Sequence, residues 1–252
     1  MNFIRIILKI RIVVLVIISL LSFSKESYSQ LFPRFSIAGG PAIGWQYQNT
    51  DDLNTEMKRI GIPTFPVDGF MTLGGGGFID LPIKSLNWLR VGGSGTGFTY
   101  KRQTTNQDNL TKTVYYSYGS WGITLEYVKH LGKTFEITGG AYLSTGKLTI
   151  DYYQNAPGYG NWNTIFNELS GLITTDNLAR KLSVRFYSAQ PVIGVGAFIT
   201  SFLYAKVNAG YMFSVNNDWK VDDEIPVTNA PSGIKADGFN ISFGLNFGLF
   251  TK

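Results

Sequence analysis

The chain has 252 residues, no cysteine and a formal net charge of +5. The lack of cysteine excludes disulfides, thiolate metal sites and cysteine nucleophiles. Charged residues make up 15% of the chain, against about 25% in soluble domains, so the composition differs from that of an ordinary cytosolic enzyme.

Residues 1–29 have the pattern of a secretory signal peptide: basic residues, the apolar run 12–23, and a small-residue cleavage site at 27–29. The alternative is a retained membrane anchor, but this run is short for a span of about 20 residues. The leader holds four of the 22 basic and one of the 17 acidic residues, which leaves the part 30–252 with a net charge of +2. The charge therefore gives no indication of nucleic-acid binding.

Eight segments of the remaining chain alternate apolar residues with small or polar ones at a period of two, which predicts β-strands whose two faces meet different surroundings. In the last of them, large apolar residues from Phe239 to Leu249 alternate with Asn, Ser and Gly. If one long segment is a hairpin, the number of strands becomes ten. The segments lie at 34–47, 69–80, 87–103, 112–130, 134–153, 181–199, 203–215 and 238–250.

The alternation changes phase in two places. Between residues 182 and 199 the apolar positions pass from even to odd numbers around Pro191, and a second change lies near residues 145–147. A β-bulge at each place would restore the register, since an extra residue reverses the facing and a proline is tolerated there.

Short turns at 82–85, 131–133 and 200–202 alternate with long loops at 48–68, 104–111, 154–180 and 216–237. This rhythm is typical of outer-membrane barrels, whose periplasmic turns are short and whose external loops are long. An even number of strands places both chain ends on the periplasmic side. The sequence therefore predicts an all-β, antiparallel transmembrane β-barrel with short helices in its external loops. Aromatic residues near strand ends would form the interfacial girdles: Trp45, Tyr47, Trp121, Tyr127 and Phe250.

Residues 30–252 resemble the small outer-membrane β-barrel proteins of Gram-negative bacteria, in the leader, the turn and loop rhythm, and the terminal segment GFNISFGLNFGLF. The Ser-Gln junction and the stretches LNTEMKRIGIP and GGGGF are similar to uncharacterised barrels of the Bacteroidetes group. The resemblance implies a place in the cell outer membrane, contact with outer-membrane lipids, and recognition by the barrel-insertion machinery.

The glycine-rich stretch 89–100 fits half of a phosphate-binding loop, but Phe98 stands where that loop needs a lysine. We interpret the stretch as a strand beside the glycines 74–77. Two glycine-rich strands side by side would leave a groove that Phe98 or Phe78 could fill.

Several charged residues are predicted to face the lumen, with Asp80 near an end. The interior of an eight-stranded barrel is just wide enough for side chains to fill, so these groups are expected to pair and plug it. The alternative is an ion or proton pathway, or a catalytic carboxylate. The candidates are Arg90, Glu126, Glu136, Arg185 and Lys206.

His130 is the only histidine and adjoins a periplasmic turn, which is a poor place for a Ser-His-acid site. We therefore expect no catalytic residue, and neither a cofactor nor a metal site. The acidic cluster from Asp218 to Glu224 could bind a divalent cation, but such a run is usually a solvated loop.

An amphipathic helix is predicted at 162–173, and a shorter one carries Leu53, Met57 and Ile60. Such helices could lie in the membrane interface, close over the barrel mouth as a lid, or pack on the rim. The candidate lid residues are Trp162, Ile165, Phe166 and Leu169.

These features favour a structural, adhesive or envelope-integrity role for a barrel with a plugged lumen. The expected partner is an extracellular one. The alternative is a carrier of a small hydrophobic ligand held by the mouth and the loop helices. A lipid-modifying or peptide-cleaving enzyme is the third hypothesis.

Overall fold

A computed structural model describes residues 35–81, 83, 85–171 and 176–250. The predicted leader and two apolar residues of the predicted lid helix, Leu172 and Ile173, lie outside the described residues.

Eight long strands form one closed antiparallel ring, in which each pairs with its neighbours along the chain and the first pairs with the last. The prediction of eight strands rather than ten is confirmed. A small hairpin of two-residue strands, β8 (Lys220–Val221) and β9 (Ile225–Pro226), extends the wall beside β6. The ring consists of β1 (Ser36–Gln46), β2 (Phe70–Asp80), β3 (Leu89–Thr105), β4 (Thr111–Leu131), β5 (Phe135–Asn155), β6 (Leu178–Phe198), β7 (Leu203–Asn216) and β10 (Gly238–Phe250).

The two ends of the ring differ. At the turn end, short connections join β2 to β3, β4 to β5 and β6 to β7, and at the loop end lie the long connections. Two helices stand in those long loops: α1 (Asp51–Arg59) follows β1, and α2 (Trp162–Leu169) follows β5. Among the described residues, no helix is long and apolar enough to cross a membrane.

Both helices carry the local signals of a helix end. α1 has two aspartates in its first turn and Lys58 and Arg59 in its last, which complements the helix dipole. α2 begins after Asn161, whose side chain accepts hydrogen bonds from the backbone N–H groups of Asn163 and Thr164.

Toward the turn end, the wall is apolar outside and polar inside. On β4, Trp121, Ile123 and Leu125 point outward and are exposed, whereas Ser120 and Glu126 point inward and are buried. The stretch from Trp121 to Leu131 rises about 25 Å along the barrel axis, which is the height of the lipid-facing band in such barrels. Lipid is the only surrounding that suits such a belt, and the fold is that of a barrel of the cell outer membrane.

Toward the loop end, the polarity is reversed. Val114, Tyr116 and Tyr118 of β4 are buried inside the ring, whereas Thr111 and Ser117 lie on the outward face. Polar groups outside and apolar groups inside are what water requires. The upper parts of β3 to β6 therefore stand above the bilayer as a water-exposed extension of the barrel.

The two predicted bulges are wrong. β5 and β6 pair without interruption from Gln154 opposite Leu178 to Phe135 opposite Ala197, and Pro191 has a regular partner. The apolar residues change phase because the strand leaves the lipid, not because a residue is inserted. Phe186 faces the water-shielded interior, whereas Ile193 faces lipid.

Apolar residues from the strands, from α1 and from the loop 217–237 form a core that fills the loop end. Leu53 and Met57 of α1 pack into it, as do Trp219 and Ile234 of that loop. The strands contribute Phe70, Phe98, Val114, Tyr116, Tyr118, Leu148, Ile150, Val184, Phe186 and Met212.

Candidate functional site

The turn end of the lumen holds a buried ion network around Arg90. The Arg90 side chain is fully buried, and its Nε donates to Asp80 Oδ1 at 2.6 Å while Nη1 donates to Glu136 Oε1 at 2.5 Å. Tyr204 donates its hydroxyl to the same Glu136 oxygen. The guanidinium also lies 4.0 Å from the ring centroid of Phe78. Two carboxylates thus compensate this buried cation, as burial demands.

A second pair crosses the lumen nearby. Lys206 Nζ donates to both carboxylate oxygens of Glu126 at 2.6 Å. Glu126 stands directly opposite Arg90 in the β3–β4 ladder, yet it pairs with the lysine of β7. His130 Nδ1 lies 3.4 Å from Glu136 Oε2. Strand register and the ring's small diameter bring together groups that are far apart in the chain.

Four of the five predicted lumen charges lie in this network: Arg90, Glu126, Glu136 and Lys206. The placement of Arg185 was wrong, because its side chain is exposed on the outward face of β6. The sequence pattern treats Val184 and Phe186 as lipid-facing, whereas both are buried in the loop-end core. Tyr204 was not predicted, although it lies two residues before Lys206 on the same strand and therefore also points into the lumen.

Between the ion network and the loop-end core lies a cavity of about 170 Å³. Glu126 and Lys206 lie at one end of it, and Tyr118 and Met212 at the other. Its remaining lining includes Gly40, Gly44, Gly75, Gly76, Thr124, Tyr142, Gln190, Asn208, Asn240 and Asn246.

The glycines beside the cavity are required by close backbone approach. A Cβ on Gly74 would lie 2.1 Å from the carbonyl oxygen of Gly95, and one on Gly76 would lie 2.5 Å from that of Gly93. Phe98 stacks on Phe70 in the loop-end core, with ring centroids 4.4 Å apart. Phe78, the other predicted filler, lines the cavity and packs against Arg90 and Tyr204, and a space beside the glycines stays open.

Aromatic rings block the lumen beyond the cavity. Tyr118 stacks on Phe186 with centroids 5.8 Å apart. Tyr116 is fully buried and donates its hydroxyl to Gln48 Oε1 at 2.9 Å. The lumen is thus closed at two levels, by ion pairs and by an aromatic plug.

The predicted girdle residues are outward-facing except one. Trp45, Tyr47 and Trp121 are exposed. Phe250 is buried and packs against Phe198, with ring centroids 5.2 Å apart. The prediction that Phe250 belongs to the girdle was therefore wrong, because Phe250 lies on the inward face of β10.

The predicted lid residues Trp162, Ile165, Phe166 and Leu169 all lie on α2, and none is buried. Leu169 is 78% exposed and Trp162 is 73% exposed, and the rings of Trp162 and Phe166 pack on each other at 4.7 Å. It is α1, not α2, that packs into the core at the mouth. α2 therefore presents an apolar face to the outside.

The acidic cluster is divided among different partners. Asp223 accepts from Lys147 and Lys181, at 2.5 and 3.1 Å, and from the hydroxyl of Ser183. The hydrogen bonds from Lys147, Ser183 and Lys181 lower the pKa of Asp223 below its usual value. Across the described ranges, no three side chains of His, Cys, Asp or Glu converge on one point.

Among solved structures, the chain is similar to three proteins of Gram-negative bacteria. The attachment invasion locus protein Ail of Yersinia pestis, solved with the heparin analogue sucrose octasulfate, is 11% identical with a TM-score of 0.29, over 86% of this chain and 98% of that one. CarO of Acinetobacter baumannii is 8% identical with a TM-score of 0.32, over 87% and 99%. The outer-membrane protease OmpT of Escherichia coli is 9% identical with a TM-score of 0.36, over 90% and 99%.

No protein-family model and no curated protein sequence matches the chain. The comparisons do not support the finer resemblance to barrels of the Bacteroidetes group.

Proposed function

We propose that this chain is a non-conducting outer-membrane barrel with a structural or adhesive role, whose working surface is its loop end outside the cell. The observation that carries the proposal is the double closure of the lumen beneath a wall that projects from the membrane. Along β4, the eleven residues from Thr111 to Trp121 extend about 34 Å along the strand, which corresponds to a rise of about 25 Å along the tilted barrel axis. Such a projection serves contact with something outside, whereas a closed lumen serves no passage.

The closure is costly to undo. An ion crossing the lumen would have to displace the Arg90–Glu136 pair, and removing one partner of a buried pair typically costs about 3–5 kcal/mol. It would then meet the plug of Tyr116, Tyr118 and Phe186, which offers few polar groups.

Planar-bilayer recording tests the closed lumen. Purified protein is added to one bilayer and a conducting porin, as the positive control, to a separate one, and folding of the protein is verified by heat-modifiable electrophoretic mobility. We expect no stable openings, because both blocks consist of packed side chains. Steady single-channel steps would contradict the proposal.

The proposed role is non-enzymatic. His130 lies at the turn end beside Glu136, whereas a substrate from outside would arrive at the loop end. The barrel-insertion machinery remains the expected partner during assembly, through the alternating apolar face of β10.

A second candidate is a carrier of a small hydrophobic ligand, favoured by the exposed apolar face of α2. One variant separates the two candidates: residues 158–171 are replaced by a Gly-Ser linker, with residues 106–110 replaced in the control. Loss of cell attachment to a surface would support adhesion. Loss of an extra mass of a hydrophobic molecule in native mass spectrometry would support the carrier.

A further inference from the structure

The outward face of β3, β4, β5 and β6 above the lipid belt forms an ordered hydrophilic surface, here termed the outer wall. Its rows follow from the strand register. Lys101, Tyr115 and Asp151 stand opposite one another across β3, β4 and β5. The next row outward holds Gln103, Thr113 and Tyr153, and the one after that holds Thr105, Thr111 and Asn155.

The outer wall contains a shallow groove of about 500 Å³, completed by Tyr159 from the loop after β5. This volume is in the usual range of ligand sites. The rings of Tyr115 and Tyr153 lie 6.0 Å apart in an edge-to-face arrangement, and Tyr153 and Tyr159 are exposed. Tyrosines offer a rigid apolar face together with a hydroxyl, at a low cost in side-chain entropy.

Hydrogen-bonding groups surround these rings. Gln103 and Asn155 contribute amides, and Lys101 lies 5.8 Å from the ring centroid of Tyr115. Asp151 Oδ1 is buried from solvent, and no described residue donates a hydrogen bond to it. Apolar faces edged by carboxylate, amide and hydroxyl groups match the chemistry of a sugar, which has apolar C–H faces and a rim of hydroxyls.

Two cations separate the groove from the lipid belt. Arg185 stands directly opposite Lys147 across β5 and β6, and both point outward. Like charges in this position repel each other. Asp223 pairs with Lys147, but Arg185 has no ion pair with any described residue. The row below them contains Thr145 and the exposed ring of Tyr187, which begins the lipid-facing surface.

We propose that the outer wall binds the phosphorylated sugar headgroup of an outer-leaflet glycolipid. The phosphate lies on Arg185 beside Lys147, and the sugar rings lie in the groove of Tyr115 and Tyr153. The wall is continuous with the lipid belt on the same strands, so a lipid whose acyl chains cover Ile123 and Leu143 presents its headgroup directly to this surface. The binding mode is independent of whether the lumen conducts.

The test uses the mature chain refolded in detergent micelles and titrated with two probes: lipopolysaccharide carrying only core sugars, and lipid A, which has the phosphates without the core. Bound fractions are read by native mass spectrometry. The variants are Tyr115→Ala/Tyr153→Ala and Arg185→Ala. The matched control is Tyr47→Ala/Tyr211→Ala, since both of these tyrosines are also exposed on the outward face. Heat-modifiable mobility verifies folding of every variant.

For Tyr115→Ala/Tyr153→Ala we expect about tenfold weaker binding of the core-sugar lipopolysaccharide and unchanged binding of lipid A. For Arg185→Ala we expect weaker binding of both probes, by about fivefold. The control should bind like the unmodified chain. Equal affinities in all chains would overturn the proposal. Equally tight binding of a lipid-free neutral polysaccharide would also overturn it, and would identify an external glycan as the occupant.

Discussion

Arg90 is the residue on which the turn end of the lumen depends. Among the described residues it is the one cation that both Asp80 and Glu136 contact, and its side chain is fully buried. Replacing it leaves two carboxylates in a low-dielectric interior without their partner, and that costs more than the pair contributes.

Arg90→Met should therefore lower the free energy of unfolding by about 3–5 kcal/mol. Urea titration in phospholipid vesicles, followed by tryptophan fluorescence, measures the change. Arg185→Met is the matched control: this arginine is exposed, and we expect an effect within about 0.5 kcal/mol. Similar losses for both variants would show that the buried network does not determine stability.

Four lumen charges could be located from the sequence because, within the lipid belt, the small and polar residues that alternate with large apolar ones face the lumen. Arg185 could not, since the same rule assumes one environment for the whole length of β6. Tyr204 was missed by the sequence analysis for another reason. A tyrosine in an alternating segment does not show whether its ring covers lipid or its hydroxyl completes a buried carboxylate.

The helices illustrate the same limit at the scale of the element. The spacing of apolar residues predicts an amphipathic helix in two of the four long loops, and both helices exist. The sequence does not show which of them closes the mouth, because this depends on packing against core side chains of strands that lie far away in the chain. α1 fills that place and α2 does not.

The two helices should therefore respond differently to truncation of an apolar side chain. Met57→Ala on α1 removes a buried side chain that packs into the loop-end core, and should lower the free energy of unfolding by about 2–5 kcal/mol. Leu169→Ala on α2 removes a mostly exposed side chain and should change it by less than about 0.5 kcal/mol. Hydrogen exchange at the amides of Trp219 and Ile234, which share the core with Met57, provides a local readout. An equal response of both variants would contradict the assignment of α1 as the plug.

At the scale of the whole molecule, eight strands, their approximate bounds and the alternation of turns and loops follow from the sequence pattern. The projection above the membrane does not follow so simply. Where a strand passes from lipid into water, its large apolar residues change from the outward to the inward face. In a sequence, this change of phase looks the same as an inserted residue. Only the unbroken pairing of β5 with β6 distinguishes the two.

The projection can be measured directly, because the chain has no cysteine and any introduced thiol is unique. Thr149→Cys on the outer wall should react on intact cells with a membrane-impermeant maleimide. Leu143→Cys on the same outward face of β5 should be shielded by lipid and react at least tenfold more slowly, by our estimate from its place in the apolar belt. Comparable labelling of both, or labelling of neither, would contradict the projection or the orientation.

The reversal of polarity along β4, β5 and β6 also sets the depth of the barrel in the bilayer. Sinking by one inside-outside repeat, about 7 Å along a strand, would draw Thr145 and then Lys147 toward hydrocarbon, where a basic residue costs up to about 2–4 kcal/mol. Rising by as much would strip lipid from Trp121 and Tyr187. The strands thus fix the position of the membrane boundary on the barrel surface. When the bilayer thins or thickens, the lipid around the barrel must adjust its thickness to that boundary.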